Sequence, residues 1–174
     1  FKNIKIELLE NKENLGFAAG NNVGIAYALE KGADYIFILN NETIVDKNII
    51  TEFLAAAKKH PDAGIFTPKI YFAKGFEFHK KYKKSDFGKV IWSVGGNIDW
   101  NNVYANNRGV DEVDRGQYNK DVETDFATGA AMFVRADVFD NYGAFDERYF
   151  MYLEDVDLCE RYKRNGGKIM YVHK

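Results

Sequence analysis

The residues best suited to chemistry lie in one stretch, Phe145 to Arg161, which has the sequence F-D-E-R-Y-F-M-Y-L-E-D-V-D-L-C-E-R. Its aromatic block is followed by Glu154 and Asp155, and apolar residues then recur at a spacing that predicts an amphipathic helix: Leu153, Val156, Cys159 and Tyr162. The amino end of a helix carries unpaired N–H groups and a partial positive charge, so an acid there stays ionised and can accept a proton. The pair is therefore a candidate general base, although acids in a first turn also serve stability alone.

The alternation of Asp155 and Asp157 does not indicate a calcium-binding EF-hand loop, because the turn glycine and the closing glutamate fall at the wrong offsets. The chain has 174 residues, which suits a single domain, and 46% of them are hydrophobic and 16% aromatic, which indicates a globular protein. The net charge of −2 gives no support for a nucleic-acid partner. We therefore expect one globular domain without an EF-hand and without a nucleic-acid role.

Cysteine content and hydropathy bear on where the protein works. Cys159 is the single cysteine, so no internal disulfide can form, and we expect a buried thiol in a reducing compartment. No apolar run approaches the ~20 residues that a membrane span needs. We expect a cytoplasmic protein, either free or peripheral at the inner face of the membrane. The chain starts at Phe1, directly before a strand pattern, and we expect that residues before it are not represented.

Hydrophobic periodicity predicts alternating strands and helices in the first third of the chain. A strand over 3–9 is followed by a helix that stops at Gly32, and a buried strand over 34–39 is followed by a helix from Ile49 to Lys59 with Asp46 as its cap. This alternation predicts a mainly parallel sheet flanked by helices. The remaining predicted elements are a strand over 63–67, loops and short strands over 74–123, a strand over 130–134, a short helix from Ala136, a helix from Glu154 to the Gly166–Gly167 pair and a strand over 168–172.

A glycine-rich segment, Asn14 to Gly24, lies between the first predicted strand and helix. It contains neither the G-x-G-x-x-G fingerprint nor the G-K-[ST] of a phosphate loop, so neither a dehydrogenase nor a P-loop NTPase is indicated. A nucleotide can still lie beside such a loop. Alternatively, Gly20 and Gly24 only allow close packing of the helix on the sheet.

Polar residues follow the buried strand in the segment L-N-N-E-T, residues 39–43. The carboxyl ends of parallel strands are where open α/β sheets bind ligands, and Glu42 can hold a hard cation such as Mg²⁺ beside a diphosphate. An Asn-rich turn leading into Asp46 explains the same residues. Thr128 and Gly129 precede another apolar strand, where backbone can approach a sugar or a phosphate, and a tight strand entry is the alternative.

Two further groups of residues carry weaker signals. The lysines of residues 80–84 are interleaved with aromatics as in a nucleic-acid patch, but a solvated loop explains them equally well. His60, His79 and His173 are too scattered to show the spacing of a metal site.

These segments, in this order and together with W-S-V-G-G at 92–96, resemble the family 2 glycosyltransferases of the GT-A fold, in particular the rhamnosyltransferase-like branch. The resemblance covers nearly the whole chain and implies a GT-A α/β domain over residues 1–174 that lacks the two N-terminal strands of the family. The roles that it implies for named residues are as follows: Asp155 is the base and Glu154 lies beside it; Asn40, Asn41 and Glu42 match the D-x-D-like triplet that holds the metal and the donor; Asn14, Gly16, Gly20 and Asn21 lie beside the nucleotide.

The resemblance also implies a reaction. An inverting transferase of this kind moves a sugar from a nucleotide diphosphate donor to a hydroxyl of a saccharide or lipid-linked acceptor, using Mg²⁺ or Mn²⁺, in cell-surface polysaccharide synthesis. Thr128 and Gly129 are assigned to donor binding, and Glu42 to the metal. The alternative is a non-catalytic or truncated module that binds a nucleotide sugar. Without the two preceding strands an edge of the sheet is left unpaired, so self-association through that edge is also expected. A nucleotidyltransferase needs a Gly-rich loop with a basic residue at its first strand, which is not seen.

Overall fold

The computed structural model describes residues 5–77 and 79–174 and shows a mixed α/β domain. A central sheet carries helices on both faces, and two small two-stranded sheets lie beside it. In chain order the elements are α1 (Gly16–Glu30), β1 (Tyr35–Leu39), α2 (Ile49–Lys59), β2 (Ala63–Pro68), β3 (Ile70–Tyr71), a 3₁₀ turn (Lys84–Asp86), β4 (Ile91–Ser93), β5 (Gly96–Asp99), β6 (Tyr104–Asn107), β7 (Val122–Glu123), β8 (Ala131–Arg135), α3 (Ala136–Tyr142), α4 (Glu154–Arg164) and β9 (Lys168–Val172).

Most of the predicted elements are confirmed within one or two residues. The helix after Asp46 is α2, but the prediction that Asp46 caps it is wrong, because the N-cap residue is Asn48. The Asp46 carboxylate accepts the N–H of Asn48 at 2.8 Å, before the first turn of the helix. The helix in the glycine-rich segment is α1, which begins at Gly16, earlier than its apolar spacing indicates. No helix within the described ranges is long and apolar enough to cross a membrane.

The order of the strands across the main sheet is β1-β8-β2-β9-β7 over the described residues. Strands β1, β2 and β9 run in the same direction. The expectation of mainly parallel neighbours is wrong, however, because β8 lies between β1 and β2 and is antiparallel to both. Parallel neighbours need a crossover connection, usually a helix. The chain reaches β8 through long loops and short strands, so β8 can enter the sheet in the opposite direction.

The strand expected over residues 3–9 is not formed in its described part. Ile4 lies outside the described residues, and Ile6 and Leu8 are exposed in a segment with no regular structure. A strand with alternating apolar residues is stable only when a neighbour pairs with it and one face is covered. β1 is the edge strand, and within the described ranges no strand pairs with its outer edge.

Alternate residues of the sheet feed two apolar cores, one on each face. On one face, α1, α3 and α4 pack against a core that includes Ile38, Met132 and Ile169. On the other face, α2 packs against a core that includes Phe133, whose ring stacks on those of Tyr35 and Phe53, each with a centroid separation of 4.9 Å. The long buried faces of this three-layer arrangement leave the ends of the strands for the functional residues.

The W-S-V-G-G segment leads into a hairpin formed by β5 and β6. Gly96 exchanges backbone hydrogen bonds with Phe126 and Asp125, and a Cβ on Gly96 would lie 2.1 Å from the Phe126 ring. Only glycine allows the hairpin to approach this closely. The Asp125 carboxylate accepts the N–H of Ile98 at 3.0 Å and pairs with Lys163 at 2.7 Å, so the hairpin is fixed beside α4.

One glycine of β2 is expected to control the packing of two helices. A Cβ at Gly64 would lie 2.5 Å from the Tyr162 hydroxyl of α4 and 2.6 Å from a Val138 methyl of α3. Gly64→Ala should therefore lower the free energy of unfolding by about 1–3 kcal/mol through overpacking. In the matched control, Gly20→Ala, the new methyl meets nothing within 4 Å in a helix, and stability should rise by about 0.5–1 kcal/mol. Equal denaturant midpoints for the two variants would contradict this packing.

Candidate active site

Asp155 lies in the first turn of α4, and both of its carboxylate oxygens are held by backbone N–H groups. Oδ2 accepts the N–H of Gly129 at 2.8 Å, and Oδ1 accepts the N–H of Val156 at 2.8 Å. The side chain is half-buried. Burial raises the pKa of Asp155, and the N–H donors oppose that rise. The carboxylate is thus fixed in direction and is a better proton acceptor than an exposed aspartate.

The turn that holds Asp155 also touches the end of β1. The carbonyl oxygen of Ala130 accepts the N–H of Asn40 at 3.0 Å, one residue after the N–H of Gly129 is donated to Asp155. This contact follows from the register of the sheet, in which Ala131 at the start of β8 faces Leu39 at the end of β1. The structure therefore brings together the predicted base, the predicted donor-binding turn and the predicted triplet.

Gly129 lies against the Phe17 ring of α1. A Cβ there would lie 2.8 Å from that ring, which is too close, whereas its distance of 3.8 Å from the Cβ of Asp155 would be an ordinary contact. Thr128, the preceding residue, is buried. The segment is the tight strand entry that was the alternative prediction, and its backbone is bonded to the candidate base. Its contact with a sugar or a phosphate stays a prediction.

Glu154 has fewer hydrogen-bond partners for its carboxylate than Asp155. Its side chain is 4% exposed, and its Oε2 atom has no hydrogen-bond partner among the described residues. Burial raises the pKa of Glu154, and the nearby charge of Asp155 raises it further. Of the pair, Asp155 is therefore the acid with donors that stabilise its charged form.

The loop before α4 is fixed to the start of α1. Gly16, at φ +77°, is so close to Phe150 that a Cβ would lie 2.4 Å from its carbonyl oxygen, and that oxygen accepts the N–H of Phe17 at 2.8 Å. The loop ends in two residues with left-handed backbone, Tyr152 at φ +74° and Leu153 at φ +69°. The glycine at the start of α1 is thus needed to position the segment that carries the acids.

Asn22 is a positioning residue that the sequence did not single out. Its amide donates to the carbonyl oxygen of Phe145 at 2.9 Å and accepts the N–H of Phe145 at 3.0 Å. It also donates to the Glu147 carboxylate at 3.0 Å. The amide was visible in the N-N pair after Gly20, but its partner lies 123 residues away along the chain, so no local pattern identifies the contact.

The rest of the predicted nucleotide loop makes local contacts. Asn14 accepts the N–H of Gly16 at 2.9 Å before α1 begins, and Asn21 donates to the carbonyl oxygen of Phe17 at 2.9 Å within the helix. A Cβ at Gly20 or Gly24 would meet nothing within 4 Å. The interpretation that these two glycines allow close packing on the sheet is therefore wrong. The proposed contacts of Asn14, Gly16, Gly20 and Asn21 with a nucleotide stay predictions.

The triplet Asn40, Asn41 and Glu42 forms an open turn after β1. The Asn40 amide donates to Glu42 Oε1 at 2.8 Å, and the hydroxyl of Thr43 donates to the carbonyl oxygen of Asn40 at 2.7 Å. Asn41 and Glu42 are exposed, and Glu42 borders a cleft of about 640 Å³ at the carboxyl ends of β1, β2 and β9. The segment is thus an Asn-rich turn whose carboxylate still faces solvent.

No group of three or more His, Cys, Asp or Glu side chains in the described part of the chain is arranged to hold a metal ion. The donors at the triplet are nonetheless oxygen atoms, one carboxylate with amide oxygens beside it, and oxygen is what Mg²⁺ and Mn²⁺ prefer. A single carboxylate suits a cation that takes its other ligands from water and phosphate. The residues present therefore fit a cation that arrives with a diphosphate.

Asp121 joins two of the three histidines. His173 Nδ1 lies 2.6 Å from one of its oxygens, and His60 Nε2 and Lys59 Nζ lie 3.3 and 2.7 Å from the other. Burial acts to raise the pKa of Asp121, but these partners outweigh it and hold that pKa below its usual range. The cluster ties the end of α2 to the end of β9, where His173 borders the cleft that also contains Glu42.

Cys159 and Arg161 fix the backbone around the base. The Cys159 sulfur accepts the N–H of Ala127 at 3.3 Å, and burial raises the pKa of this thiol. The prediction of a buried, unbridged cysteine is confirmed.

Arg161 pairs with Asp157 at 2.7 Å and donates to the carbonyl oxygen of Ala144 at 2.7 Å. The helix that carries the acids, α4, is therefore held in place on both sides.

The lysines at 80–84 are exposed, as a solvated loop requires.

Known proteins with related sequences carry transferase names. The chain is 27% identical to the N-acetylglucosaminyl-diphospho-decaprenol L-rhamnosyltransferase of Mycobacterium tuberculosis, over 96% of this chain and 56% of that protein. It is 28% identical to rhamnosyltransferase WbbL of Escherichia coli, over 90% and 58%. It is 24% identical to the low-salt glycan biosynthesis hexosyltransferase Agl10 of Haloferax volcanii, over 94% and 48%.

The chain thus spans about half the length of the curated relatives that it matches. Across its own length the match to one family is complete, because residues 1–174 match the family described as "Glycosyltransferase like family 2". That match agrees with the mixed α/β sheet. The chain belongs to glycosyltransferase family 2.

Proposed function

We propose that this domain carries the catalytic site of an inverting glycosyltransferase that uses a nucleotide diphosphate sugar. The observation that carries the proposal is the carboxylate of Asp155, held by the N–H of Gly129 at 2.8 Å in a turn that also bonds Asn40 at the end of β1. A base and a diphosphate-binding turn are thereby neighbours. Family membership and the transferase names of the relatives support the same reaction class.

In this proposal Asp155 accepts the proton of the acceptor hydroxyl. The freed oxygen attacks the anomeric carbon of the donor sugar, and the bond from that carbon to the diphosphate oxygen breaks. The nucleotide diphosphate leaves with the bonding electrons, and attack from the opposite side inverts the anomeric configuration. Burial favours this role because it raises the pKa of Asp155, while the two N–H donors keep the carboxylate pointed in one direction.

The leaving diphosphate needs positive charge. We assign Glu42 to a divalent cation, Mg²⁺ or Mn²⁺, and Asn40 and Asn41 to the polar contacts of the donor around it. Such a cation, when bound, neutralises charge that develops on the leaving group. The bond from Asn40 to Glu42 Oε1 at 2.8 Å orients the carboxylate, and both side chains remain at the open end of β1. Thr128, Gly129 and the loop from Asn14 to Asn21 are assigned to the sugar and nucleotide parts of the donor.

The names of the relatives support a substrate class. Two are rhamnosyltransferases, and one of these names a diphospho-decaprenol acceptor. We infer a hexose or deoxyhexose donor and a saccharide or lipid-linked acceptor in glycan synthesis, with the protein cytoplasmic and peripheral at the inner face of the membrane. No strand of the described residues pairs with the outer edge of β1, which supports pairing with a second copy as a further property of the isolated chain.

The rival proposal is a module that binds a nucleotide sugar without transferring it. The observation that favours it is the outer edge of β1, which has no partner strand in the part of the chain that the structure describes. A mixture of the protein, Mn²⁺ and a panel of UDP, dTDP and GDP sugars separates the two. Release of nucleotide diphosphate supports the transferase, whereas calorimetric binding without release supports the module.

Asp155→Asn should lower turnover by about 10²–10⁴-fold, because the amide keeps the shape but cannot accept the proton. Donor affinity should change little, since Asp155 acts on the acceptor. Asp157→Asn is the matched control, because Asp157 is an acid of the same helix turn that pairs with Arg161 instead. Initial rates and donor affinity are measured for both variants. Turnover close to that of the unmodified protein in Asp155→Asn would refute the assignment.

Glu42→Gln should weaken the Mn²⁺-dependent part of nucleotide diphosphate binding by about tenfold or more, because an amide is a poorer cation ligand than a carboxylate. It can still accept the hydrogen bond from Asn40, so the turn should remain. Glu52→Gln, an acid that borders the same cleft, serves as the control. Titration calorimetry with and without Mn²⁺ gives the measurement. An affinity that is equally metal-dependent in Glu42→Gln would exclude this residue as the ligand.

Glu154→Gln should stabilise the fold at neutral pH, because it removes a buried carboxylate with an unpartnered oxygen. The folded-state pKa of Glu154 is raised, so ionisation weakens the fold as pH rises from the ordinary value of about 4.5 through the folded-state pKa. The gain should therefore be present at pH 7 and should shrink below about pH 4. Urea unfolding at both pH values measures it. A gain that is independent of pH would argue against burial of the charge.

A further inference from the structure

Seven large apolar side chains are exposed in the hairpin and the loop that precede and border the acid-bearing helix. Three come from the β5–β6 hairpin, and four from the loop before α4. We call the following set the apolar rim: Trp100, Val103, Tyr104, Phe150, Met151, Tyr152 and Leu153. Trp100 is 57% exposed, Tyr152 is 73% exposed and Val103 is 84% exposed. Single exposed apolar residues are ordinary, but a cluster of this kind marks an interaction surface.

The two parts of the apolar rim meet at Leu153. Trp100, Val103 and Tyr104 line a cleft of about 270 Å³ together with Leu153. The hairpin is fixed in this place by the bond from Ile98 to Asp125 at 3.0 Å. The hairpin tip and the end of the loop before α4 therefore share a surface, and the other rim residues of that loop directly precede Leu153 in the chain.

Backbone conformation points to the same residues. In the described ranges, four residues other than glycine have positive φ, and three of them are in the rim: Val103 at +52°, Tyr152 at +74° and Leu153 at +69°. For a β-branched residue such as valine this conformation is a true outlier. The fold neither buries these side chains nor relaxes their backbone, and such outliers concentrate at functional sites.

The charges around the rim are already paired. Asp157 and Arg161 lie 2.7 Å apart, Glu160 and Arg164 lie 3.6 Å apart, and the Arg164 guanidinium lies 5.8 Å from the centre of the Trp100 ring. The net charge of the chain is −2. The surface thus offers apolar and aromatic groups without an excess of positive charge.

We propose that the apolar rim docks on the interfacial region of a lipid bilayer. Tryptophan and tyrosine prefer this region because their rings are apolar and their N–H or O–H groups reach water. Val103, Phe150 and Leu153 supply apolar area that enters the acyl boundary. The biological sense rests on the proposed function, since an acceptor held on a lipid carrier must meet its base close to the membrane. Leu153 of the rim is two residues from Asp155.

The test uses the fluorescence of Trp100. The chain has two tryptophans, so Trp92→Phe leaves Trp100 as the reporter. We expect its emission to shift to the blue when phosphatidylcholine vesicles are added. Because paired charges leave apolar area as the driving force, the shift should persist in about 1 M NaCl, where the Debye length is ~3 Å. Vesicles that contain phosphatidylglycerol should give similar binding.

Variants then assign the binding to the rim. Val103→Ser with Tyr152→Ser should lower vesicle partitioning by about tenfold or more, because two exposed apolar groups are lost. Ile44→Ser with Phe76→Ser is the matched control, since these apolar residues are as exposed but lie outside the rim. It should bind vesicles like the unmodified chain. Circular dichroism and thermal unfolding establish that both double variants are folded.

Several outcomes would overturn the proposal. These are the absence of a shift with either vesicle, a shift that needs anionic lipid and disappears in salt, and equal losses in the two double variants. A rim variant that changes only the sedimentation coefficient would show that a second copy covers the rim. Nucleotide diphosphate binding, measured in parallel, separates the two proposals. Vesicle binding without nucleotide binding supports membrane docking by the rim and refutes the proposed function. Nucleotide binding without vesicle binding refutes membrane docking alone.

Discussion

The candidate site depends on the antiparallel insertion of β8 between β1 and β2. In that register the amino end of β8 lies beside the carboxyl end of β1, with Ala131 facing Leu39. The turn before β8 can then donate the Gly129 N–H to Asp155 while the next residue accepts the N–H of Asn40. With β8 running parallel to β1, this turn would lie at the opposite end of the sheet. The direction of a single strand thus decides whether the candidate base and the predicted triplet lie near each other.

Close backbone approaches hold the acid-bearing loop against the other elements. Gly16 and Gly129 each stand where a Cβ would collide with an aromatic residue, Phe150 in one case and Phe17 in the other. Asn22 adds two hydrogen bonds to the backbone of Phe145. These contacts fix a loop that has no regular structure of its own. Such preorganisation holds the candidate base in one position.

The sequence predicted the elements well and their arrangement only in part. The strands β1 and β9 and the helix α2 could be predicted, because apolar spacing and helix start and stop signals lie within about a dozen neighbouring residues. The position of β8 depends on pairing between residues about 95 apart, for which no local signal exists. The strand expected over 3–9 failed for a related reason, because alternation does not specify a partner. Local sequence patterns do not specify which distant segments of the chain pair with each other.

The site followed the same division. The acids at 154 and 155 and the turn at 128 and 129 were found from residue type and helix position, but the bond that joins them spans 26 residues. Asn22 and the exposed tip of the hairpin were missed, since an amide and a valine carry no chemical signature alone. What distinguishes Val103 is a positive φ on a β-branched residue that is 84% exposed. A sequence shows which side chains are present. Unfavourable backbone conformations, such as that of Val103, are seen only in the structure, and they concentrate at sites that serve function and not stability.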